Sequence, residues 1–108
     1  MKEPYKTDPD DITRVYIKPT LSVQRVVVCA ANRIGDVILC GARHWDEIMH
    51  KQADAMGLAG SACDAEQGFI DQYGQFMDRR EAKVVALASG QKLRDPIMGD
   101  LCFSENLY

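Results

Sequence analysis

The 108-residue chain carries 13 lysines and arginines against 16 aspartates and glutamates, a formal net charge of −3, with 46% hydrophobic and 27% charged residues. That length makes one domain with one modest core, and that composition is globular. The charge offers no positive field to recruit a DNA duplex and no dense acidic run to imitate one. Residues 1–11, MKEPYKTDPDD, are polar and broken by Pro4 and Pro9, and read as a loose arm. Residues 12–18 alternate partly and suggest an edge strand ended by Pro19, so the arm and this strand make a unit of residues 1–20 ahead of a single domain over 21–108. Residues 23–31 carry the run RVVVCAA without clean alternation, the pattern of a strand covered on both faces. A turn over residues 32–36, where Asn32 and Gly35 tolerate positive φ, returns the chain through residues 37–40 as a hairpin that Gly41 ends.

Residues 43–56 read as an amphipathic helix stopped by Gly57, with Trp45, Ile48, Met49, Gln52 and Met56 marking one face. LAGSACDA, residues 58–65, reads as a mobile loop of small residues. Residues 67–71 and 75–77 form a second hairpin around Tyr73-Gly74. Asp78 and Glu81 then make a capping box for a second helix that Gly90 terminates. Ala82, Val84, Val85, Ala86, Leu87 and Ala88 make this helix apolar on most sides, so it must pack on the sheet and also on the first helix or a second subunit. The closing LCFSENLY reads as a last strand ending on a docked Tyr108. The order ββ-α-ββ-α-β predicts an α+β fold, a small antiparallel sheet flanked by two helices.

Enzymatic chemistry finds no support. The serines lack a nucleophile-elbow context, and the Asp46/His50 pair at i,i+4 has no third ligand for a metal. Neither a Walker loop nor G-x-G-x-x-G occurs, so no cofactor is expected. Cys29, Cys40, Cys63 and Cys102 show no C-x-x-C spacing. Cys29 and Cys40 fall roughly opposite each other on paired strands, where a bridge is conceivable, but reduced thiols acting as small core hydrophobes are the favoured reading. The longest apolar run, residues 26–31, is far too short to span a bilayer. No segment resembles a signal peptide, and a soluble cytoplasmic protein is expected.

Binding chemistry does better. Arg43-His44 falls where a strand gives way to a helix, and Arg79-Arg80 opens another helix. Helix N-termini carry unpaired N–H groups that suit phosphate, and a guanidinium grips two phosphate oxygens. Phe69, Tyr73 and Phe76 could stack on a base, with Ser104, Glu105 and Asn106 reading its edges or ribose hydroxyls. The blander alternatives are that Phe69 and Phe76 are core and that the arginines are solvated.

The ordered blocks GARHWDEI, EQGFIDQYGQFMDRREA, LASGQ and LCFSENLY, spread over residues 26–108, resemble a group of small phage-encoded proteins, the Thoeris anti-defence sponges. The resemblance implies a sheet flanked by two helices. It also implies a non-enzymatic function: sequestration of a cyclic ADP-ribose isomer, or in some members a cyclic oligonucleotide, near a junction between subunits. Carried onto matching positions, it implicates Arg43, His44, Gly68, Phe69, Phe76, Arg79, Ser104, Glu105 and Asn106, in a homodimer or larger homo-oligomer. Two alternatives stand beside it. One is a protein that inhibits a host defence enzyme by direct contact through Trp45 and the acidic arm. The other is a small hydrolase of the same ligand.

Overall fold

The computed structural model describes residues 12–18 and 21–108; the arm over residues 1–11 and Pro19 lie outside them. Strands β1 (Arg14–Lys18) and β2 (Leu21–Gln24) form a two-stranded antiparallel sheet. β3 (Cys29–Ile34), β4 (Val37–Gly41), β5 (Glu66–Ile70) and β6 (Phe76–Asp78) form a second, all-antiparallel sheet in the order β4-β3-β5-β6. The helices are α1 (Glu47–Ala55), α2 (Arg79–Ala88) and a single turn, α3 (Ser104–Leu107), with a 3₁₀ stretch over Ala59–Asp64. The α+β class predicted from the element order is the one observed.

Register sorts the four-stranded sheet into two faces. Ala30 pairs with Gly41 and Phe69, Asn32 with Leu39 and Gln67, and Phe69 with Met77. This face carries the core: Ala30, Leu39, Phe69 and Met77 pack with Met49 and Ala53 of α1 and with Ala82, Val85 and Ala86 of α2. Each large side chain in it contributes roughly 1.5–3 kcal/mol by leaving water. The other face carries Ala31, Arg33, Gly68 and Phe76, with the Arg33 guanidinium 4.4 Å above the Phe76 ring and paired to Glu66.

The two hairpins form as predicted, turning at Gly35-Asp36 (Gly35 φ 59°) and at residues 71–75 (Gly74 φ 78°). Asn32, however, belongs to β3 and is buried, its amide donating to the Met49 sulfur, instead of opening the turn. The single strand predicted over residues 23–31 is two strands in two sheets. Between them Arg25 turns inward, and glutamine carboxamides replace a neighbouring strand as partners for the main chain. Gln91 accepts from Val27 N at 2.7 Å and donates to Val27 O at 2.9 Å, while Gln72 accepts from Val26 N at 2.9 Å and donates to Gln24 O at 2.8 Å. Gln52 does the same for Cys40 on the edge strand β4, at 2.9 and 2.7 Å, occupying main-chain groups that could pair with another chain.

The helices differ from their predicted limits for identifiable reasons. The first begins at Glu47, not Arg43, because Trp45 takes a left-handed φ of 55° and Asp46 caps the helix, accepting from Met49 N at 2.9 Å. Its buried stripe is Met49 and Ala53, while Ile48 and Met56 face outward. Asp78 caps α2 by accepting from Glu81 N at 2.8 Å, but the Glu81 carboxylate goes to Arg25, so only half of the capping box forms. α2 is not buried all round: Val84 and Leu87 are exposed. The loop predicted over residues 58–65 is largely the 3₁₀ stretch, and the last predicted strand is α3, whose entry Asn106 fixes by accepting from Phe103 N at 2.8 Å. Tyr108 is docked as expected, its hydroxyl donating to the Val28 carbonyl, and burial pushes that phenol up to about 12. Cys29 and Cys40 are offset, since Cys40 pairs with Ala31, yet their thiols are neighbours; all four cysteines are free, and burial together with Cys40 raises Cys29 to about 11.

Candidate functional site

The turn between β4 and α1 is drawn tight by Asp46, whose Oδ2 accepts from Arg43 N at 3.3 Å and whose carboxylate lies where a Cβ on Gly41 would fall, 2.5 Å from Oδ1. The turn lays His44 across β5. Its Nε2 is 2.6 Å from the Gly68 carbonyl, and its ring meets Phe69 edge-on at 5.2 Å. A carbonyl only accepts, so Nε2 carries the proton and Nδ1 turns its lone pair toward Nη2 of Arg79, 3.5 Å away. Burial, and then the Arg79 charge, hold the His44 pKa below its ordinary value against the opposing pull of the Gly68 carbonyl. The imidazole is therefore neutral at pH 7.

Arg79, the first residue of α2, is held on several sides. Nη1 donates to the Cys102 carbonyl at 3.0 Å, Nη2 donates to Gln67 Oε1, and the guanidinium lies 4.5 Å over the Phe103 ring. The Cys102 amide returns a bond to the Arg79 carbonyl at 2.9 Å, fastening the C-terminal segment to the start of α2. Arg43 donates to the Tyr108 main-chain oxygen and faces Glu105 across 3.6 Å. That ion pair is 37% and 59% exposed on its two sides, so it is weak and readily exchanged for another anion.

Of the residues singled out from the sequence, Arg43, His44, Gly68, Arg79 and Glu105 meet at one corner, formed by the β4–α1 turn, β5, the start of α2 and α3. Phe69 backs the corner but is wholly buried, so it offers no stacking face. Phe76 lies on the opposite face of the sheet, under Arg33. Ser104 is buried, and its hydroxyl lies 3.5 Å from Glu105 Oε1. Asn106 spends its amide on Phe103 N and the Pro96 carbonyl, leaving Glu105 as the polar group of α3 open to a ligand. Arg80 points away, 3.7 Å from Asp100. Sequence reasoning missed Gln67 and Phe103. The signal for Gln67 was its parity, a polar residue on the core-facing side of β5 beside Phe69.

The histidine makes the corner sensitive to acid. A folded-state pKa below the ordinary 6.5 means that, as pH falls through that value, the unfolded chain takes a proton that folded His44 refuses. Stability is fully present above 6.5 and is lost as pH drops toward the folded pKa. Urea midpoints measured from pH 7.5 to 5 should fall for the wild type and fall less steeply for His44→Gln. Parallel slopes would mean that His44 titrates as it would in the unfolded chain.

Fold and corner together define a small α+β domain that gathers two guanidinium groups and a neutral imidazole at one end of a helix-covered antiparallel sheet. Residues 26–108 match the family model described as Phage T4 y16D protein, and the chain belongs to that family of phage proteins. Neither a curated protein nor a solved structure matches it. Among the described residues no helix is long and apolar enough to cross a membrane.

Proposed function

We propose that this phage protein binds a cyclic ADP-ribose-type signal, or another cyclic nucleotide, and holds it without cleaving it, so that a bacterial defence system in the infected cell is not triggered. The observation that carries this reading is the convergence of Arg43 and Arg79 beside His44. A diphosphate needs paired cationic donors to leave water, and two guanidinium groups supply them in fixed geometry. An incoming phosphate would take the place of Glu105 at Arg43, freeing that carboxylate for a ribose hydroxyl. Capture is favoured over turnover because the His44 Nε2 proton is committed to the Gly68 carbonyl and its Nδ1 faces a cation, a poor setting for a general base. A homodimer or larger assembly belongs to this reading, with the exposed Val84 and Leu87, one turn apart on α2, as apolar groups it could cover.

Arg43→Ala and Arg79→Ala should each weaken binding of cyclic ADP-ribose by roughly 10- to 150-fold in calorimetry, since a charged hydrogen bond is worth about 1.5–3 kcal/mol. Arg43→Ala is the cleaner variant, because the Tyr108 oxygen that Arg43 holds also accepts from Arg94, whereas Arg79 holds the Cys102 carbonyl, Gln67 and the Phe103 ring together. Unchanged affinity in both removes the corner from consideration. Heating the complex then sorts the mechanisms: intact nucleotide released into solution supports capture, and altered nucleotide indicates a hydrolase. A protein that retains no nucleotide fits direct inhibition of a host enzyme. The expected Trp45 contact would then be limited, because Trp45 is half-buried against the core.

A further inference from the structure

An open, mostly apolar groove of about 370 Å³ runs beside the cationic corner, lined by Pro96, Met98, Leu101 and Phe103, with Gly99, Asp100 and Asn106 at its edge. Its wall is fixed to α2. Lys83 donates to the Gly99 carbonyl at 2.6 Å, Arg80 faces Asp100 at 3.7 Å, and Cys102 is bonded to Arg79 at 2.9 Å. Its volume lies within the ordinary range for small-molecule sites. Phe103 is 45% exposed, an unusual state for a large aromatic ring outside a contact surface. The same ring carries the Arg79 guanidinium at 4.5 Å, so it borders both the groove and the cation that faces His44.

We propose that this groove is the base subsite of the ligand. A planar heterocycle stacks on Phe103 while the diphosphate attached to it reaches Arg79 and Arg43. The assignment rests on the nucleotide reading above and moves the stacking partner from Phe69, which is wholly buried, and from Phe76, which lies on the far side of the sheet. The occupant follows from the juxtaposition of an apolar, aromatic floor and a fixed guanidinium one ring away. An apolar peptide side chain would fill the groove and leave the cation unused, and a free phosphate would use the cation and leave the groove open. Only a molecule with a flat uncharged part joined to an anionic part satisfies both. The Asn106 amide is committed to Phe103 N and the Pro96 carbonyl and the Asp100 carboxylate faces Arg80, so few free polar groups remain to read a base and the groove should accept different bases with similar affinity.

The test is calorimetry of the purified protein with cyclic ADP-ribose, ADP and inorganic pyrophosphate, on the wild type, Phe103→Leu and Phe103→Trp. Leucine keeps the apolar bulk and removes the π face; tryptophan restores it. Phe103→Leu should lose roughly 5- to 150-fold in affinity for both nucleotides, the range of base–aromatic stacking, and less than twofold for pyrophosphate, and Phe103→Trp should recover the loss. Equal losses for nucleotide and pyrophosphate would show that Phe103 acts only by positioning Arg79. Nucleotide affinity unchanged by Phe103→Leu would place the base elsewhere and leave the diphosphate reading standing. Wild-type protein that binds none of the three probes would overturn both.

Discussion

Arg25→Ala should lower the unfolding free energy by about 3–5 kcal/mol, the usual result of removing one partner from a buried ion pair. Among the described residues Arg25 is the largest fully buried side chain. Its Nε donates to Asp71 Oδ2 at 2.9 Å, and both side chains are wholly shielded from solvent. Nη1 donates to the Ile12 carbonyl at 2.9 Å and to Glu81, while the Arg25 main-chain N–H donates to the Thr13 carbonyl at 2.8 Å. Asp71 in turn accepts from Tyr73 N and Gln75 N, each at 2.9 Å. One side chain thus ties the start of β1, the β5–β6 turn and α2. Alanine would strand the Asp71 carboxylate without its cation and leave a cavity besides. For a domain of this size the expected fall in Tm is at least about 12 °C. Lysine should recover only part of the loss, because an ammonium cannot reproduce the guanidinium's spread of donors. The Arg25→Ala/Asp71→Ala double variant should be less damaged than the two single effects combined, which separates pairing from simple loss of bulk. A urea midpoint for Arg25→Ala within the equivalent of about 1 kcal/mol of wild type would mean that the cluster contributes little.

This cluster also marks where sequence reading stopped. Inside RVVVCAA, Arg25 looks like the polar edge of a β-branched run, and nothing local shows that its partners lie 46 and 56 residues away. The hairpins were legible because turn chemistry is local: Gly35 and Gly74 occupy the left-handed region that two such turns require. The cap of α2 was legible for the same reason. The split between β2 and β3 was not, because the main chain at Val26 and Val27, between them, is satisfied by Gln72 and Gln91, side chains from distant segments. The C-terminal turn read as a strand because its apolar residues lie close together; Asn106 bonding back to Phe103 decides the matter, and that bond competes with extended structure.

At the site, the residue types that suit an anion were legible and their spatial roles only in part. Arg43, His44 and Arg79 converge because each stands where one element gives way to another, and such junctions cluster at the ends of a sheet. Phe69 and Phe76 could not be sorted without register: one step of pairing sends Phe69 into the core and Phe76 to the far face. Phe103, the aromatic that does border the cations, sits in an irregular segment where periodicity says nothing.

Gly68→Ala should be the most damaging small substitution in the sheet, and it links stability to the site. Gly68 does not occupy the left-handed region, so its role is space. A Cβ there would fall 2.2 Å from the Met77 carbonyl oxygen and 2.5 Å from Phe76 Cζ. The phenylalanine ring can swing aside, but the carbonyl belongs to β6, in the ladder that pairs Gly68 with Asp78 and Phe69 with Met77. Relief requires β6 to move off β5. That movement would carry Asp78, the cap of α2, and with it Arg79, while the Gly68 carbonyl that orients His44 would shift as well. Overpacking of this kind costs about 1–3 kcal/mol where side chains can yield, and a fixed main-chain oxygen places Gly68 at or above the top of that range. Gly60→Ala is the control, since a Cβ there meets nothing within 4 Å and the residue is not left-handed; it should leave the urea midpoint almost unchanged. Gly68→Ala should lower that midpoint strongly and, in whatever fraction still folds, weaken pyrophosphate binding through displaced Arg79. A variant as stable as Gly60→Ala, with wild-type affinity, would show that β5 and β6 do not approach this closely and that the corner does not depend on their contact.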